Sequence, residues 1–303
     1  MIKLGFHPSP WLHAEPPGTL AEAMRDIAAT GWDGLEMCNS QAPFYPARPE
    51  DIAVLLRRHN LSLATYYLGQ SLTDGFDMGA ALAAAERHVE INRACGSGII
   101  LLDGGGRAPA ARAETHIRRI ADYANRVGEL ARKCGLACAW HQHYGTIFDK
   151  WPAFEQLMAL TDPALVGFCP DTAQLAMSGF DVQETICRYL DRVIYIHFKD
   201  VEFLDAEGQP EPELRPGGAR HTYGKWGKSD CRVREPGRGK IGFAAVWRLL
   251  QSRRYDGWIV CDLDYTLTTP VESSRYTLDY LRRLTGCRPV RGQAGDCQPP
   301  ERS

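Results

Sequence analysis

The residues of this sequence best equipped for chemistry fall in four short segments: His141-Gln142-His143, Asp171-Thr172, His197-Phe198-Lys199-Asp200 and Asp262-Leu263-Asp264. Each sits where a β-strand is expected to end. They lie roughly thirty to sixty-five residues apart, so no local loop gathers them, whereas a barrel delivers every strand end to one rim. Nitrogen and oxygen donors meeting at one point imply a bound divalent cation and chemistry on an oxygen-rich substrate.

His141 and His143 follow the apolar run Leu136 to Trp140, and residues two apart on an extended strand point the same way. Asp171 follows Val166 to Pro170, His197 follows Val193 to Ile196, and Asp262 closes the run Trp258 to Cys261. One histidine at a strand end is often plain hydrogen-bonded structure, and one aspartate there often caps the next helix. Four such groups at matching strand ends favour a shared metal site. Two imidazoles and two carboxylates suit Mn²⁺, Co²⁺, Mg²⁺, Fe²⁺ or Zn²⁺; ligand softness does not choose among them, and manganese is the favoured expectation.

The elements that must hold these groups can be read from periodicity. The chain has 303 residues, 44% apolar and 24% charged, enough for one large α/β barrel or two ordinary domains. Short, nearly continuous apolar runs at 4–6, 34–37, 61–67, 98–102, 136–140, 166–169, 193–196 and 258–261 read as parallel strands covered on both faces. Between them, helical spacing occupies about 18–29, 48–58, 77–94, 112–133, 151–160, 182–190, 243–252 and 271–284. Gly31, Gly96, Gly135 and Gly257 mark helix ends. Eight such units predict a single-domain (β/α)8 TIM barrel over residues 1–287. A Gly-, Pro- and charge-rich loop at about 201–240 would overhang the rim, and 288–303 reads as a mobile polar tail.

A formal charge of −2 and the lack of a long basic run argue against a nucleic-acid partner. No apolar stretch approaches the ~20 residues a membrane span needs, and the N-terminus starts directly on a strand-like run, so a cytoplasmic location is expected. The ten cysteines are dispersed, several inside expected strands, and are read as reduced, mostly buried thiols rather than a disulfide scaffold.

His141-Gln142-His143-Tyr144-Gly145-Thr146, Asp171-Thr172-Ala173, His197-Phe198-Lys199-Asp200 and Gly257-Trp258-Ile259-Val260 with Asp262 resemble the sugar isomerase/epimerase-like TIM barrels of the xylose isomerase-like superfamily. The His-x-His-x-Gly-Thr string looks most like its inosose dehydratase branch. The resemblance covers the chain to about residue 285. It implies metal ligands at His141, Asp171, His197 and Asp262. It also implies substrate-facing positions at His143 and Lys199, and an acidic pocket position at Glu36. There are departures. The family string Asp-Thr-Gly-His stands here as Asp171-Thr172-Ala173-Gln174, the last ligand is shortened from Glu to Asp, and Gly242 replaces the acidic residue usual before Phe243.

The chemistry this implies is metal-assisted enolisation of a polyhydroxylated carbonyl compound, a small-molecule sugar or cyclitol. His143, Glu36 and Lys199 are the acid/base candidates, and Gln174, Glu235, Arg238 and Trp226 the substrate-binding ones. Expulsion of a β-hydroxyl gives an inosose dehydratase-like lyase; reprotonation elsewhere gives an isomerase or epimerase; elimination from a 3-keto-glycoside is a third outcome. Gly104-Gly105-Gly106-Arg107 reads as an anion cradle or as a tight turn. Arg215, Arg220, His221 and Lys225 stand with Trp226 in the expected lid. Homo-oligomerisation is left open.

Overall fold

Alternation along each strand decides which residues face the barrel axis. In the computed structural model, which describes residues 1–46, 48–106, 108–203 and 231–287, ten strands form. They are β1 (Lys3–Phe6), β2 (Gly34–Cys38), β3 (Ser62–Gly69), β4 (Ile99–Asp103), β5 (Ala137–His141), β6 (Gly167–Cys169), β7 (Tyr195–His197), β8 (Asp200–Phe203), β9 (Cys231–Arg234) and β10 (Trp258–Cys261). Eight of them pair in parallel in the order β6-β5-β4-β3-β2-β1-β10-β7. Bridges between Phe168 and Val193 and between Asp171 and His197 bring β6 against β7 and nearly complete the ring. This is the predicted TIM barrel.

On β5, Cys138 and Trp140 join the large core beneath the helices while Ala139 belongs to a smaller cluster inside the ring. Ile196 against Tyr195 on β7, and Ile259 and Cys261 against Val260 on β10, repeat the pattern. The inner cluster, Cys38, Ala64, Tyr67, Ile99, Leu101, Ala139, Cys169, Tyr195 and Val260, fills the barrel with apolar side chains. Advancing two residues along β5, β6, β7 and β10 leads from that cluster to His141, Asp171, His197 and Asp262. The apolar floor and the polar rim are therefore one parity of the same strands.

The eight long helices run Leu20–Thr30, Pro49–Arg58, Met78–Ala94, Ala113–Lys133, Trp151–Leu160, Val182–Arg188, Phe243–Ser252 and Pro270–Thr285. Reciprocal capping boxes, Thr19 with Glu22 and Thr269 with Glu272, fix the first and last of them. Periodicity did not reveal the short helices Ser9–Leu12 and Thr172–Met177, nor the antiparallel ribbon of β8 and β9 at the two ends of the expected loop. Residues 204–230, with Trp226 and the other lid residues, and the expected tail 288–303 lie outside the described residues. No described helix is long and apolar enough to cross a membrane.

Candidate metal centre

Asp171 ends the β6 segment and also begins the helix Thr172–Met177. Its Oδ1 accepts from Ala173 N at 2.9 Å and Gln174 N at 3.0 Å, which caps the helix. Its Oδ2 is buried with no hydrogen-bond partner. That oxygen lies 3.6 Å from His141 Nε2 and 3.6 Å from His197 Nδ1, and both of these nitrogens are likewise buried and unpartnered. The three ligand atoms lie within 4.8 Å of one another. Orphaned buried donor and acceptor atoms are costly, and three facing one point fit a divalent cation, which satisfies all of them.

Asp262, the fourth expected ligand, stands at the edge of this group, its Oδ2 at 3.8 Å from His197 Nδ1 and 2.8 Å from Lys199 Nζ. The Lys199 ammonium also reaches Asp264 Oδ2 at 3.1 Å and Asp171 Oδ2 at 3.6 Å. Thr172 fixes the backbone beneath it, accepting from Lys199 N and donating to Lys199 O. Burial pushes the Asp171 carboxyl up, but Lys199, His141 and His197 outweigh it and hold the group well below the usual carboxylate range. Asp262 is lowered too, burial again being overcome, by Lys199, His7 and His197. Burial would lower the His197 imidazole, but Cys169, Glu36 and Asp171 together hold it well above its ordinary value.

Glu36 lies fully buried beneath His197. Its Oε2 faces His197 Nε2 at 3.0 Å and accepts from the Tyr195 hydroxyl at 2.7 Å. A carboxylate on the far nitrogen sets the tautomer that leaves Nδ1 free for a metal. His143 is half-buried at the rim. Its Nδ1 donates to Tyr144 O at 2.7 Å, and Gln174 Nε2 contacts its Nε2 at 3.3 Å. Gln174 Oε1 accepts from Tyr144 N, which fixes the orientation of the amide.

A family model described as xylose isomerase-like TIM barrel matches residues 24–284. The chain belongs to that family. It is similar to the inosose dehydratase of Lacticaseibacillus casei, 27% identical over 280 residues that span 87% of this chain and 90% of the relative. The inosose dehydratase of Lactiplantibacillus plantarum is 28% identical over 302 residues, 93% of this chain and 96% of the relative. Among solved structures, the IOLI protein with a bound zinc atom matches with a TM-score of 0.69 at 14% identity, covering 94% of this chain and 98% of that one. A D-allulose 3-epimerase from Methylomonas sp. matches with a TM-score of 0.67 at 14% identity, covering 93% and 98%. At such identities the structural likeness speaks for the fold.

In this xylose isomerase-like barrel Glu235 and Arg238 follow β9 and meet the segment after the last strand and the last helix. Glu235 is buried and accepts from Thr266 Oγ1 at 2.7 Å; Arg238 packs over the Tyr276 ring at 3.9 Å and keeps 3.9 Å from Glu235 Oε2. Among the described residues no hydrogen bond or ion pair links either to the metal ligands. Asp200, grouped by sequence with His197, turns away from the cluster and accepts from the backbone N–H groups of Val201, Gly237, Gly239 and Ile241. The glycines at 104–106 are explained without an anion. Gly105 has φ +93°, and a Cβ there would strike the Phe148 ring. Its carbonyl accepts from Ile147 N, and that of Gly106 from His116 Nε2. Arg107 lies outside the described residues. Sequence reasoning missed His7, two residues past Gly5 on the inward side of β1, and the Tyr195 hydroxyl. The only signal for either was strand parity.

Proposed function

We propose that this protein is a divalent-metal-dependent enzyme that enolises a keto-inositol or keto-sugar and expels a β-hydroxyl, an inosose dehydratase-like lyase. The observation that carries this reading is the convergence of His141 Nε2, Asp171 Oδ2 and His197 Nδ1, all buried and all unpartnered. The similarity to two inosose dehydratases over nearly the whole chain supports the substrate class. A divalent ion held there, with Asp262 as a further ligand, would polarise a carbonyl and acidify the adjoining C–H. Manganese is the proposed ion among the several that this mixed nitrogen and oxygen donor set suits.

His143 is the proposed base. Its Nδ1–H is committed to Tyr144 O, so Nε2 is the nitrogen that takes the proton, exchanging its long contact with the Gln174 amide for a substrate partner. Lys199, held among three carboxylates, donates to the developing oxyanion and delivers a proton to the departing hydroxyl. Glu36 supports His197. Gln174, Glu235 and Arg238 are proposed to shape the substrate wall, and Trp226, which lies outside the described residues, to bind substrate.

A second reading, isomerisation or epimerisation through the same deprotonation, is favoured by the fold match to a sugar epimerase. Incubating the metal-loaded protein in D₂O with inososes and ketoses separates them. Dehydration of an inosose supports the lyase; solvent deuterium in a rearranged ketose without loss of water supports the isomerase. No exchange with any member refutes both. His143→Ala and Lys199→Ala should retain metal and lose roughly 10²-fold or more in turnover.

A further inference from the structure

His7, Glu36 and Asp262 each place one nitrogen or oxygen atom within 4.8 Å of the others. Their composition is that of a metal site, yet the hydrogen bonds around His7 argue otherwise. Tyr45 donates its hydroxyl to Gln41 Oε1 at 2.7 Å, which turns the Gln41 amide so that its Nε2 donates to Ser9 Oγ. With its oxygen thus occupied as an acceptor, the Ser9 hydroxyl donates to His7 Nδ1, and Ser9 N donates to the same atom at 3.3 Å. His7 Nδ1 is therefore an acceptor, and the neutral ring carries its hydrogen on Nε2. A protonated nitrogen cannot ligate a metal. His7 Nε2 makes no hydrogen bond among the described residues, and Glu36 Oε1 is buried and unpartnered although its other oxygen is used twice. Asp262 Oδ2 already holds Lys199.

His7 and Glu36 thus bring a free N–H donor and a free carboxylate oxygen into one cluster, which suits a group that accepts one hydrogen bond and donates another. We propose that His7 Nε2–H and Glu36 Oε1 form a subsite for one hydroxyl of the substrate, adjacent to the metal centre. The segments after β1 and β2 build it, since the hydrogen-bond chain Tyr45–Gln41–Ser9 sets the His7 tautomer. The subsite makes His7 a substrate-binding residue and rests on the polyhydroxylated-substrate reading above.

Glutamine can present an N–H near the position of the histidine Nε2, whereas asparagine cannot reach it. With scyllo-inosose as the probe and manganese-loaded protein, His7→Asn should raise KM roughly ten-fold, the effect of one hydrogen bond to a buried donor. His7→Gln should recover most of that loss, and both variants should keep the wild-type metal content. A set of monodeoxy inososes should contain one analogue on which the wild type and His7→Asn perform alike. Equal KM values in the wild type and His7→Asn on scyllo-inosose, or a metal equivalent lost from His7→Asn, would overturn the subsite. A wild type that neither binds nor converts any polyhydroxylated ketone would instead overturn the functional reading beneath it, and the subsite with it.

Discussion

At the scale of single residues, Asp171 does two jobs with two oxygens. Oδ1 caps a helix while Oδ2 faces two imidazoles. The sequence offered capping and metal binding as rival readings; the geometry makes them compatible. Asp171→Asn keeps an acceptor for the cap and removes the charge, so metal occupancy should collapse and the metal-free chain should lose the stability that Lys199, His141 and His197 give the buried carboxylate. Asp171→Ala should lose the metal and a further cap contribution of about 1 kcal/mol. Metal analysis and melting of the metal-free variants check both. Glu36→Gln tests the support beneath His197: weakening the acceptor on Nε2 should cost roughly 10- to 100-fold in metal affinity, read by competition with a chromophoric chelator. Unchanged affinity would mean that Glu36 does not tune His197 as a ligand. The candidate ligands were legible because His, Asp and Lys at strand ends are few. The partner of the far nitrogen of His197 was not, since Glu36 and His197 are 161 residues apart.

At the scale of elements, strand parity carries the information. Period-two alternation assigned His141, Asp171, His197 and Asp262 to one side, and the structure shows Ala139, Cys169, Tyr195 and Val260 directly beneath them inside the ring. What periodicity could not show were elements too short to complete a pattern: the six-residue helix Thr172–Met177 and the four-residue strands β8 and β9. These local pieces depend on side-chain to backbone bonds. Asp200 is the clearest, its carboxylate holding the N–H of Val201 and three N–H groups of the turn that leads to the helix Phe243–Ser252. A Cβ at Gly239 would collide with this carboxylate, so the close approach needs glycine. Asp200→Ala should strand these donors and destabilise the chain by about 2 kcal/mol or more, seen as a lowered urea midpoint. An unchanged midpoint would mean that water replaces the carboxylate.

At the scale of the whole molecule, the barrel exists to bring distant strand ends together. The bridge that joins β6 to β7 pairs Asp171 with His197, so ring closure and ligand assembly are one event. Imidazole and carboxylate ligands bind a cation only when deprotonated, so affinity should fall as pH falls. Because His197 is held well above its ordinary value in the metal-free chain, binding at neutral pH should expel a proton. The decisive measurement is calorimetric titration of the metal-free chain with Mn²⁺ and Zn²⁺, repeated on His141→Ala, Asp171→Ala and His197→Ala. The account predicts one tight equivalent in the wild type and its loss in each variant. No tight binding in the wild type, or full occupancy in all three variants, would contradict it.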